Sequence, residues 1–242
     1  MSESTHYLFD IDGTLTEPRK KMSSKFSKSF RGWMENKSVF LVAGSDLDKV
    51  NEQVCQKVIN ECEGVFCSMA NQFWMGKNLV YENEWTPDPH LRECLIGFQM
   101  YTKFPIRPKR GGRGKIIELR PGMLNFTTIG RNADAEERHR YYDWDTKNGE
   151  RKSIVEQLEE SFPKLDFRIG GQISIDIQPK GFNKCQASRW VRENLGGKMV
   201  FIGDSCHKGG NDYDLCLDIK EHKDGEFHQV DSPSETLKML GI

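Results

Sequence analysis

The 242-residue sequence predicts an α/β fold, in which a parallel sheet with helices on both faces is interrupted by an inserted α+β segment with an antiparallel sheet. Three observations indicate this fold. Continuous apolar runs alternate with helical repeats near both ends of the chain, turn-forming or acidic residues follow those runs, and the middle of the chain carries hairpin signals. Strands that alternate with helices need crossover connections and are therefore parallel, whereas hairpins are antiparallel.

The first 67 residues account for three of the parallel strands. Strands are expected at 7–11, 39–43 and 64–67, with helical segments beginning near 23 and 46. The strand runs are apolar on both faces, which is typical of a buried parallel sheet. Phe26, Phe30, Trp33 and Met34 form one apolar stripe on the first helix, and the valines at 50, 54 and 58 form the stripe of the second.

The middle of the chain follows a different pattern, and the parallel pattern returns near its end. Helices are expected around 91–98, 133–145 and 154–162, and strands on both sides of Pro121-Gly122 and at 173–177. A strand at 199–203, another near 227–230 and a short helix capped by Ser232 or Ser234 complete the chain. We therefore expect a core domain formed by 1–83 and 182–242, with an inserted domain over 84–181.

Composition and charge disfavour several classes of protein. With 36% hydrophobic residues the chain can bury a core, and its net charge of −1 gives no general attraction for nucleic acid or anionic lipid. Without a membrane-length apolar run or a secretory pattern at the start, we expect a cytoplasmic protein with no membrane and no nucleic-acid partner. The basic stretch at 107–115 is interpreted as a solvated loop. Seven cysteines without a C-x-x-C pair disfavour a disulfide framework or a zinc site.

Acidic residues follow two of the predicted parallel strands. Asp10 and Asp12 leave the first strand on the same side of the chain, and Asp204 ends a later apolar strand. Because the carboxyl ends of parallel strands meet at one edge of a sheet, we expect these carboxylates together, with Asn211 and Asp212 on a glycine loop beside them. Clustered carboxylates repel one another unless a hard cation neutralises them. The sequence therefore predicts a Mg²⁺ site at this edge.

This set of groups suits phosphoryl transfer through a carboxylate nucleophile. Asp10 would attack phosphorus, and Asp12 would protonate the leaving oxygen as general acid/base. Such a site also needs a lysine and a hydroxyl group that hold the phosphoryl oxygens. Lys184, which precedes the strand that delivers Asp204, and Ser45, after the second strand, are the candidates.

Several motifs resemble one family of enzymes. They are Phe9-Asp10-Ile11-Asp12-Gly13-Thr14-Leu15-Thr16 with Pro18-Arg19, Gly44-Ser45-Asp46, the block from Ile117 to Arg138, the block from Gly171 to Asp176, and Gly203-Asp204 with Gly209-Gly210-Asn211-Asp212. The D-x-D-G-T signature alone is typical of the whole haloacid-dehalogenase-like (HAD) superfamily. The arginine-bearing block at 117–138, by contrast, is similar to that of the eukaryotic-type phosphomannomutases.

The resemblance covers the chain almost from end to end and implies a Rossmann-like HAD core with an inserted α+β cap. It implies an enzyme that interconverts mannose 6-phosphate and mannose 1-phosphate through a phosphoaspartyl enzyme and a hexose 1,6-bisphosphate. Mg²⁺ would be the cofactor, the hexose 1,6-bisphosphate would be the activator, and hexose phosphates would be the small-molecule partners. The family also implies a homodimer formed by the caps, and a place in GDP-mannose supply.

The resemblance also assigns roles to individual residues. The substrate-binding residues that it implies are Arg19, Arg120, Arg131, Arg138, Ser174 and Asp176. The metal ligands that it implies are Asp10, Asp204 and the backbone carbonyl of Asp12, while a second cation site matches this chain only at Asp218. Arginines far from Asp10 make physical sense, because a mutase binds a sugar with two phosphates and guanidinium groups match phosphate oxygens.

Two other functions stay open at the level of sequence. One is a sugar-phosphate phosphatase, in which water discharges the phosphoaspartate, and the other is a non-catalytic sugar-phosphate-binding protein. The chain departs from the family pattern at Asn183, Ser205 and Cys206, close to the catalytic motifs. The arginine trio favours the mutase over the phosphatase, because a hydrolase for a monophosphate needs no second phosphate site.

Overall fold

The computed structural model describes residues 4–106 and 112–242 and divides the chain into two compact units. The core unit consists of the residues up to Asn83 and of Gly181–Ile242, and the cap unit is Glu84–Lys180. Residues 107–111, which belong to the basic stretch interpreted as a solvated loop, lie outside the described residues, as do the first three residues of the chain.

The helices and strands have the following bounds. In chain order they are β1 (Thr5–Phe9), α1 (Ser24–Met34), β2 (Ser38–Val42), α2 (Leu47–Gln53), α3 (Gln56–Glu61), β3 (Gly64–Cys67), β4 (Gln72–Met75), β5 (Asn78–Glu82), α4 (Pro89–Met100), β6 (Ile117–Arg120), β7 (Met123–Phe126), α5 (Ala135–Asn148), α6 (Glu150–Ser161), β8 (Leu165–Gly170), β9 (Ser174–Pro179), α7 (Cys185–Asn194), β10 (Lys198–Gly203), α8 (Tyr213–His222), β11 (Gly225–Gln229) and α9 (Pro233–Leu240). None of the described helices is both long enough and apolar enough to cross a bilayer.

The described strands of the core unit form one sheet in the order β11-β10-β1-β2-β3-β4-β5. Strands β11 to β3 are parallel, which confirms the predicted fold class. Strands β4 and β5 extend the edge as an antiparallel hairpin that the sequence analysis did not predict. Most of β5 is exposed, so it lacks the apolar run that identified the other strands, and only the turn at Gly76 (φ 58°) marks the hairpin.

Successive residues of the central strands point to opposite faces of the sheet, and both faces are covered. Phe9 and Leu41 belong to a buried cluster with side chains of α1, α2 and α3, whereas Leu8 and Phe40 belong to a second cluster with side chains of α7 and α8. This arrangement explains why the strands are apolar on both faces. Helices α7 and α8 complete the second face and were not specified by the sequence analysis.

The helix expected over the valines at 50, 54 and 58 is interrupted. Helix α2 ends at Gln53 and α3 begins at Gln56, and Val54 between them is extended (φ −94°, ψ 137°). The backbone carbonyl of Gln53 accepts a hydrogen bond from the backbone N–H of Met22 (2.7 Å) and is thus directed to another segment at the point where α2 stops. All three valines are buried. The valine spacing therefore identified the buried face correctly, but the prediction of one continuous helix was wrong.

The cap unit contains an antiparallel sheet in the order β6-β7-β9-β8. Ile175 and Ile177 of β9 face a buried cluster that includes Leu95 of α4 and Leu158 of α6. The residues that alternate with them in sequence, Ser174 and Asp176, therefore lie on the opposite, polar face of the sheet. Strand β8 was not predicted, because Phe167 is its one buried residue and its alternation is weak.

A buried ion pair connects α5 and α6 to the turn between β8 and β9. The Nε of Arg151 donates to Asp145 Oδ2 (2.7 Å), and its Nη1 donates to the carbonyls of Gly171 (3.0 Å) and Ser174 (3.3 Å). Arg151 and Asp145 are 4% and 6% exposed. Because Arg151 binds main-chain oxygens on both sides of the turn, it holds the start of β9 in position.

We expect Arg151→Met to lower the free energy of unfolding of the cap unit by about 3 kcal/mol, since it leaves a buried carboxylate without its partner. The measurement is urea unfolding of the full chain followed by far-UV circular dichroism. Lys152→Met on the same helix is the matched control, because the Lys152 side chain is 77% exposed, and its expected effect is within about 0.5 kcal/mol. Equal midpoints for the two variants would contradict this role of Arg151.

Candidate active site

Three polar residues of the core unit follow neighbouring strands of its sheet. Asp10 is the first residue after β1, Asp204 is the first after β10, and Ser45 follows β2 by three residues. Strand β1 ends two residues earlier than the sequence predicted, and the N–H of Asp10 still donates to the carbonyl of Ile202 in β10 (2.9 Å). These residues therefore lie at the carboxyl edge of the parallel sheet, as the sequence analysis expected.

Three carboxylates of the core unit surround one buried lysine. Asp10, Asp204 and Asp212 each offer an oxygen within 4.8 Å of the others. The Nζ of Lys184, which immediately precedes α7, donates to Asp10 Oδ1 and to Asp212 Oδ1 (2.7 Å). Lys184 and Asp212 are fully buried and Asp10 nearly so. One ammonium group therefore faces three carboxylates, and the cluster has a net negative charge when all of them are ionised.

The pKa values in this cluster reflect burial first and the neighbouring charges second. Burial raises the pKa of Asp10 to about 8. The positive charge of Lys184 opposes this shift, and the negative charge of Asp212 adds to it. Burial, together with the Asp212 carboxylate, also raises the pKa of Asp204. Burial alone would lower the pKa of Lys184, but Asp10 and Asp212 raise it above its usual value. The protein's own charges thus leave the carboxylates incompletely neutralised.

The donor set of this cluster fits a hard divalent cation. All of its ligand atoms are carboxylate oxygens, the type that Mg²⁺ prefers, and Oδ2 of Asp10 is buried with no hydrogen-bond partner among the described residues. Gly13 allows this close approach: a Cβ at its position would lie 2.5 Å from Oδ2 of Asp204, and its φ of 81° is one that glycine adopts readily. Asp10, Asp204 and Asp212 could therefore hold the cation.

The carboxylate of Asp12 lies outside this cluster, although Asp12 is only two residues from Asp10. Its Oδ1 accepts hydrogen bonds from the backbone N–H of Arg19 (2.8 Å) and from Nε2 of Gln53 (2.6 Å). The sequence analysis did not identify Gln53. Its one signal is a polar residue three positions after Val50 on the buried face of α2, where an apolar residue would be expected.

The remaining predicted residues of the core unit lie in loops around the strand ends. Ser45 is half-buried, and its carbonyl accepts a hydrogen bond from the N–H of Ser68 (2.7 Å). Asn211 is exposed, and its amide nitrogen lies 3.7 Å from the position that a Cβ on Gly44 would occupy, so the loops after β2 and β10 are adjacent. Arg19 is exposed, with a left-handed backbone (φ 60°) beside Asp12.

An unusual turn follows β3 at the same edge of the core sheet. Ser68, Met69 and Ala70 all have left-handed backbone conformations, with φ of 52°, 59° and 61°, which is unfavourable for residues other than glycine. The Asn71 side chain stabilises the turn by donating to the Ser68 carbonyl (2.8 Å), and the Tyr81 hydroxyl donates to the Ala70 carbonyl (2.8 Å).

The residues that depart from the family pattern form hydrogen bonds within these loops. The N–H of Ser205 donates to Asp212 Oδ2 (3.1 Å), and buried Cys206 packs beneath the same loop with its thiol near the Gly203 carbonyl (3.7 Å). Asn183 accepts from the N–H of Cys185 (3.1 Å), at the start of α7. The substitutions are therefore compatible with the placement of Asp212 and Lys184.

Asp218, the candidate for a second cation site, lies among positively charged groups. Its Oδ2 accepts hydrogen bonds from the Ser188 hydroxyl (2.6 Å) and from Arg192 Nη2 (2.7 Å), and Arg189 lies 3.8 Å from its Oδ1. Carboxylate oxygens that already bind guanidinium groups are poor ligands for a second cation. The surroundings of Asp218 therefore disfavour the cation site that the resemblance implied.

The cap unit brings the three predicted arginines together on and beside the polar face of its sheet. Arg120 and Arg131 both approach Glu118 Oε2, at 3.1 and 2.6 Å, and Arg131 also donates to Asn125 Oδ1. The guanidinium of Arg138 donates to the carbonyls of Ala133 (2.9 Å) and Arg131 (3.2 Å). Burial lowers the pKa of Arg131, Glu118 opposes this shift, and the like charges of Arg120 and Arg138 add to it.

Asp176 and Ser174 lie next to these arginines in the cap sheet. Asp176 pairs in register with Asn125 of β7, and its carboxylate accepts a hydrogen bond from that amide. Burial raises the pKa of Asp176, while Asn125 and the nearby Arg120 and Arg131 oppose the shift. Ser174 is buried at the start of β9.

Several buried donors on the cap face have no hydrogen-bond partner within the described residues. They are Nε of Arg120, Nε of Arg131 and the amide nitrogen of Gln178, whose carbonyl oxygen is also unpartnered. Gln178 is 2% exposed, lies two residues after Asp176, and was missed by the sequence analysis. An unpartnered buried donor costs about 1–3 kcal/mol, so a bound anion or sugar that accepts these hydrogen bonds would recover that energy.

Comparison with known proteins identifies similar sequences and folds. The family model described as eukaryotic phosphomannomutase matches residues 26–241. The phosphomannomutase of Saccharomyces cerevisiae is 35% identical over 98% of this chain and 92% of its own length, and that of Solanum lycopersicum is 36% identical over 97% and 92%. Among solved structures, a haloacid dehalogenase-like hydrolase from Bacteroides thetaiotaomicron has a TM-score of 0.62 at 15% identity, covering 99% of each chain. A HAD subclass IIB sugar phosphatase has a TM-score of 0.56 at 14% identity, covering 98% of this chain and 99% of its own. At these identities the two structures show a shared fold only.

We expect Asp204→Asn to weaken divalent cation binding at least about tenfold, because it removes one of the three clustered carboxylates. Mn²⁺ is the probe, with free Mn²⁺ measured by electron paramagnetic resonance during a titration. The matched control is Asp48→Asn on α2, where the side chain is exposed. The same Mn²⁺ affinity in the Asp204 variant and the wild type would show that the carboxylate cluster is not the cation site.

Proposed function

Because this chain belongs to the eukaryotic phosphomannomutase family, we propose that it interconverts mannose 6-phosphate and mannose 1-phosphate through a phosphoaspartyl enzyme and a hexose 1,6-bisphosphate. The observation that carries the proposal is that each unit has its own group of residues suited to a phosphate. The core unit has carboxylates around Lys184, and the cap unit has converging arginines. A sugar that carries two phosphates requires two such groups.

Transfer of the phosphoryl group uses the two acids of the first loop. Asp10 attacks phosphorus, the bond from phosphorus to the sugar oxygen breaks, and the proton of Asp12 passes to that oxygen. In the reverse direction, Asp12 accepts the proton of a sugar hydroxyl, and the oxygen attacks the phosphoaspartate. Lys184 orients Asp10 through their hydrogen bond, and the hydroxyl of Ser45, which follows β2 at the same edge of the sheet, would bind a phosphoryl oxygen.

A Mg²⁺ ion is part of this proposal. The residues that would hold it are Asp10, Asp204 and the backbone carbonyl of Asp12, with Asn211 and Asp212 in support. When bound, it supplies positive charge that offsets the carboxylates and the phosphoryl oxygens. The unpartnered Oδ2 of Asp10 and the raised pKa values of Asp10 and Asp204 support a cation at this point.

The cap residues are proposed to bind the part of the substrate that does not react. Arg120, Arg131 and Arg138 would bind the second phosphate, and Ser174 and Asp176 would bind sugar hydroxyls. In the core unit, Arg19 would contact phosphate beside Asp12. This second phosphate site favours a mutase over a phosphatase, because only the mutase has to retain a bisphosphate between its two half-reactions.

Assembly and cellular context are also proposals. We propose a homodimer formed by the caps, which is supported by apolar side chains that the cap unit exposes. Met100 is 70% exposed, Tyr101 83% and Leu119 55%, so these side chains are available for contact with a second copy. A cytoplasmic location and a role in GDP-mannose supply rest on the family resemblance and on the sequence.

The activity predicts a defined course of ³¹P NMR spectra. With mannose 1-phosphate, Mg²⁺ and catalytic glucose 1,6-bisphosphate, we expect the mannose 1-phosphate signal to be replaced by that of mannose 6-phosphate with little inorganic phosphate. Asp10→Asn should remove all turnover, because it removes the nucleophile. Asp48→Asn, in which an exposed carboxylate is lost, is the control and should keep full activity.

The same spectra separate the alternatives. Release of inorganic phosphate without mannose 6-phosphate, unchanged by added bisphosphate, would identify a phosphatase. Binding of hexose phosphate without any turnover would identify a non-catalytic binding protein, and full activity of Asp10→Asn would exclude the proposed nucleophile.

Loss of a cap arginine is expected to slow the reaction of hexose phosphates but not that of a substrate without a second anion. We expect Arg131→Met to lower kcat/KM for mannose 1-phosphate about 10- to 100-fold, which corresponds to the loss of one charge-assisted contact. Hydrolysis of 4-nitrophenyl phosphate, which carries no second anion, should stay within about twofold. Lys147→Met on α5, an exposed position, is the control. A parallel loss on both substrates would argue against a phosphate-binding role for Arg131.

A further inference from the structure

We propose that Gln53 is a positioning residue that orients the Asp12 carboxylate for proton exchange with the sugar oxygen. This inference rests on the proposed phosphoryl transfer, and it adds a residue that neither the sequence motifs nor the family resemblance assigned. The observation behind it is the hydrogen bond of 2.6 Å from Nε2 of Gln53 to Oδ1 of Asp12, between residues 41 positions apart in the chain.

The hydrogen bonds on Asp12 distinguish its two oxygens. Gln53 Nε2 and the backbone N–H of Arg19 both donate to Oδ1, at 2.6 and 2.8 Å. With Oδ1 occupied by these two donors, Oδ2 is the oxygen left to face the substrate. The two donors therefore fix the plane of the carboxylate and determine which oxygen exchanges a proton with the substrate.

Gln53 is held firmly enough to serve this purpose. It is 3% exposed and is the last residue of α2, between Val50 and Val54, which are buried in the core. Its backbone carbonyl accepts from the N–H of Met22 at the point where the chain leaves the helix. The rotational freedom of the long side chain is thus restricted when the protein folds, not when the substrate binds.

The contact also separates the roles of two acids that are close in sequence. Asp10 belongs to the carboxylate cluster with Asp204 and Asp212, whereas the Asp12 side chain lies outside that cluster. Without Gln53, the N–H of Arg19 would be the one donor left on Oδ1, and the Asp12 carboxylate could turn about that single hydrogen bond and away from the leaving oxygen. Gln53 therefore keeps Asp12 available as an acid and base while Asp10 acts as the nucleophile.

The consequence for rate depends on the leaving group. A sugar hydroxyl is a poor leaving group and needs the proton of Asp12, and general acid catalysis is typically worth 10²- to 10⁴-fold. 4-Nitrophenolate leaves without a proton, because its conjugate acid is far stronger than an alcohol. Loss of the Gln53 contact should therefore slow transfer from hexose phosphates and spare transfer from 4-nitrophenyl phosphate.

The test compares two variants on two substrates with the full chain and Mg²⁺. Gln53→Met preserves length and removes the donor, and Gln53→Glu preserves shape and places a second carboxylate against Asp12. For both we expect kcat with mannose 1-phosphate and glucose 1,6-bisphosphate to fall about 10- to 100-fold, with KM within about twofold. The pre-steady-state burst of 4-nitrophenolate reports formation of the phosphoaspartate before Asp12 is needed as a base, and its rate should change by less than about twofold. Gln56→Met, three residues further on at an exposed position, is the control and should match the wild type on both substrates.

Each outcome decides the inference. An equal loss on both substrates, with or without a lower melting temperature, would show a merely structural role, and unchanged kcat with mannose 1-phosphate would show no role; either result overturns the inference. If the wild type releases phosphate from mannose 1-phosphate without isomerisation, the mutase proposal fails, but the comparison still decides on Gln53, because hydrolysis of a hexose phosphate also needs a protonated leaving oxygen. If the wild type acts on neither substrate, both proposals fail.

Discussion

The core site depends on the ion pairs that the buried ammonium group of Lys184 forms with two carboxylates. This group donates hydrogen bonds to both Asp10 and Asp212. Asp10 follows β1, Lys184 precedes α7 and Asp212 precedes α8, so the contact joins segments that are far apart in the chain. Without it, two buried carboxylates would lose their charge partner, a change that typically costs several kcal/mol. With it, the carboxylates remain only partly neutralised, because one positive charge faces three acids. A divalent cation bound to these oxygens would offset the imbalance of charge.

In the cap unit, positive charges are clustered and carboxylates neutralise them in part. Arg120 and Arg131 both contact Glu118 on the polar face of an antiparallel sheet. Asp176 lies on the same face, where it pairs with Asn125 of β7. Each acid offsets part of the repulsion between the guanidinium groups while leaving donors for a ligand. The buried Arg151 stabilises the turn before β9 through hydrogen bonds to main-chain carbonyls. The cluster at the strand ends of the core unit thus has more acids than cations, and the cluster on the cap sheet has more guanidinium groups than acids.

The two acids of the first loop acquire different chemistry from their surroundings alone. Asp10 and Asp12 are the same residue type two positions apart, yet burial raises the pKa of Asp10, while the Asp12 carboxylate is held apart by Gln53 and the N–H of Arg19. A helix break places Gln53 there, since α2 ends where its last carbonyl binds Met22. An irregularity of the fold, and not a motif, therefore gives the two carboxylates different surroundings.

The sequence by itself determined the fold class and where chemistry would concentrate, because apolar periodicity and acidic strand ends are local properties of the chain. Asp10 and Asp204 could be predicted to meet, since the carboxyl ends of parallel strands share one edge. Only the tertiary structure decided that Gln53 donates a hydrogen bond to Asp12, that Arg192 donates one to the Asp218 carboxylate, and that β4 and β5 add an antiparallel edge to the core sheet. Those features depend on contacts between residues distant in the chain, and such contacts leave no periodic signal in the sequence.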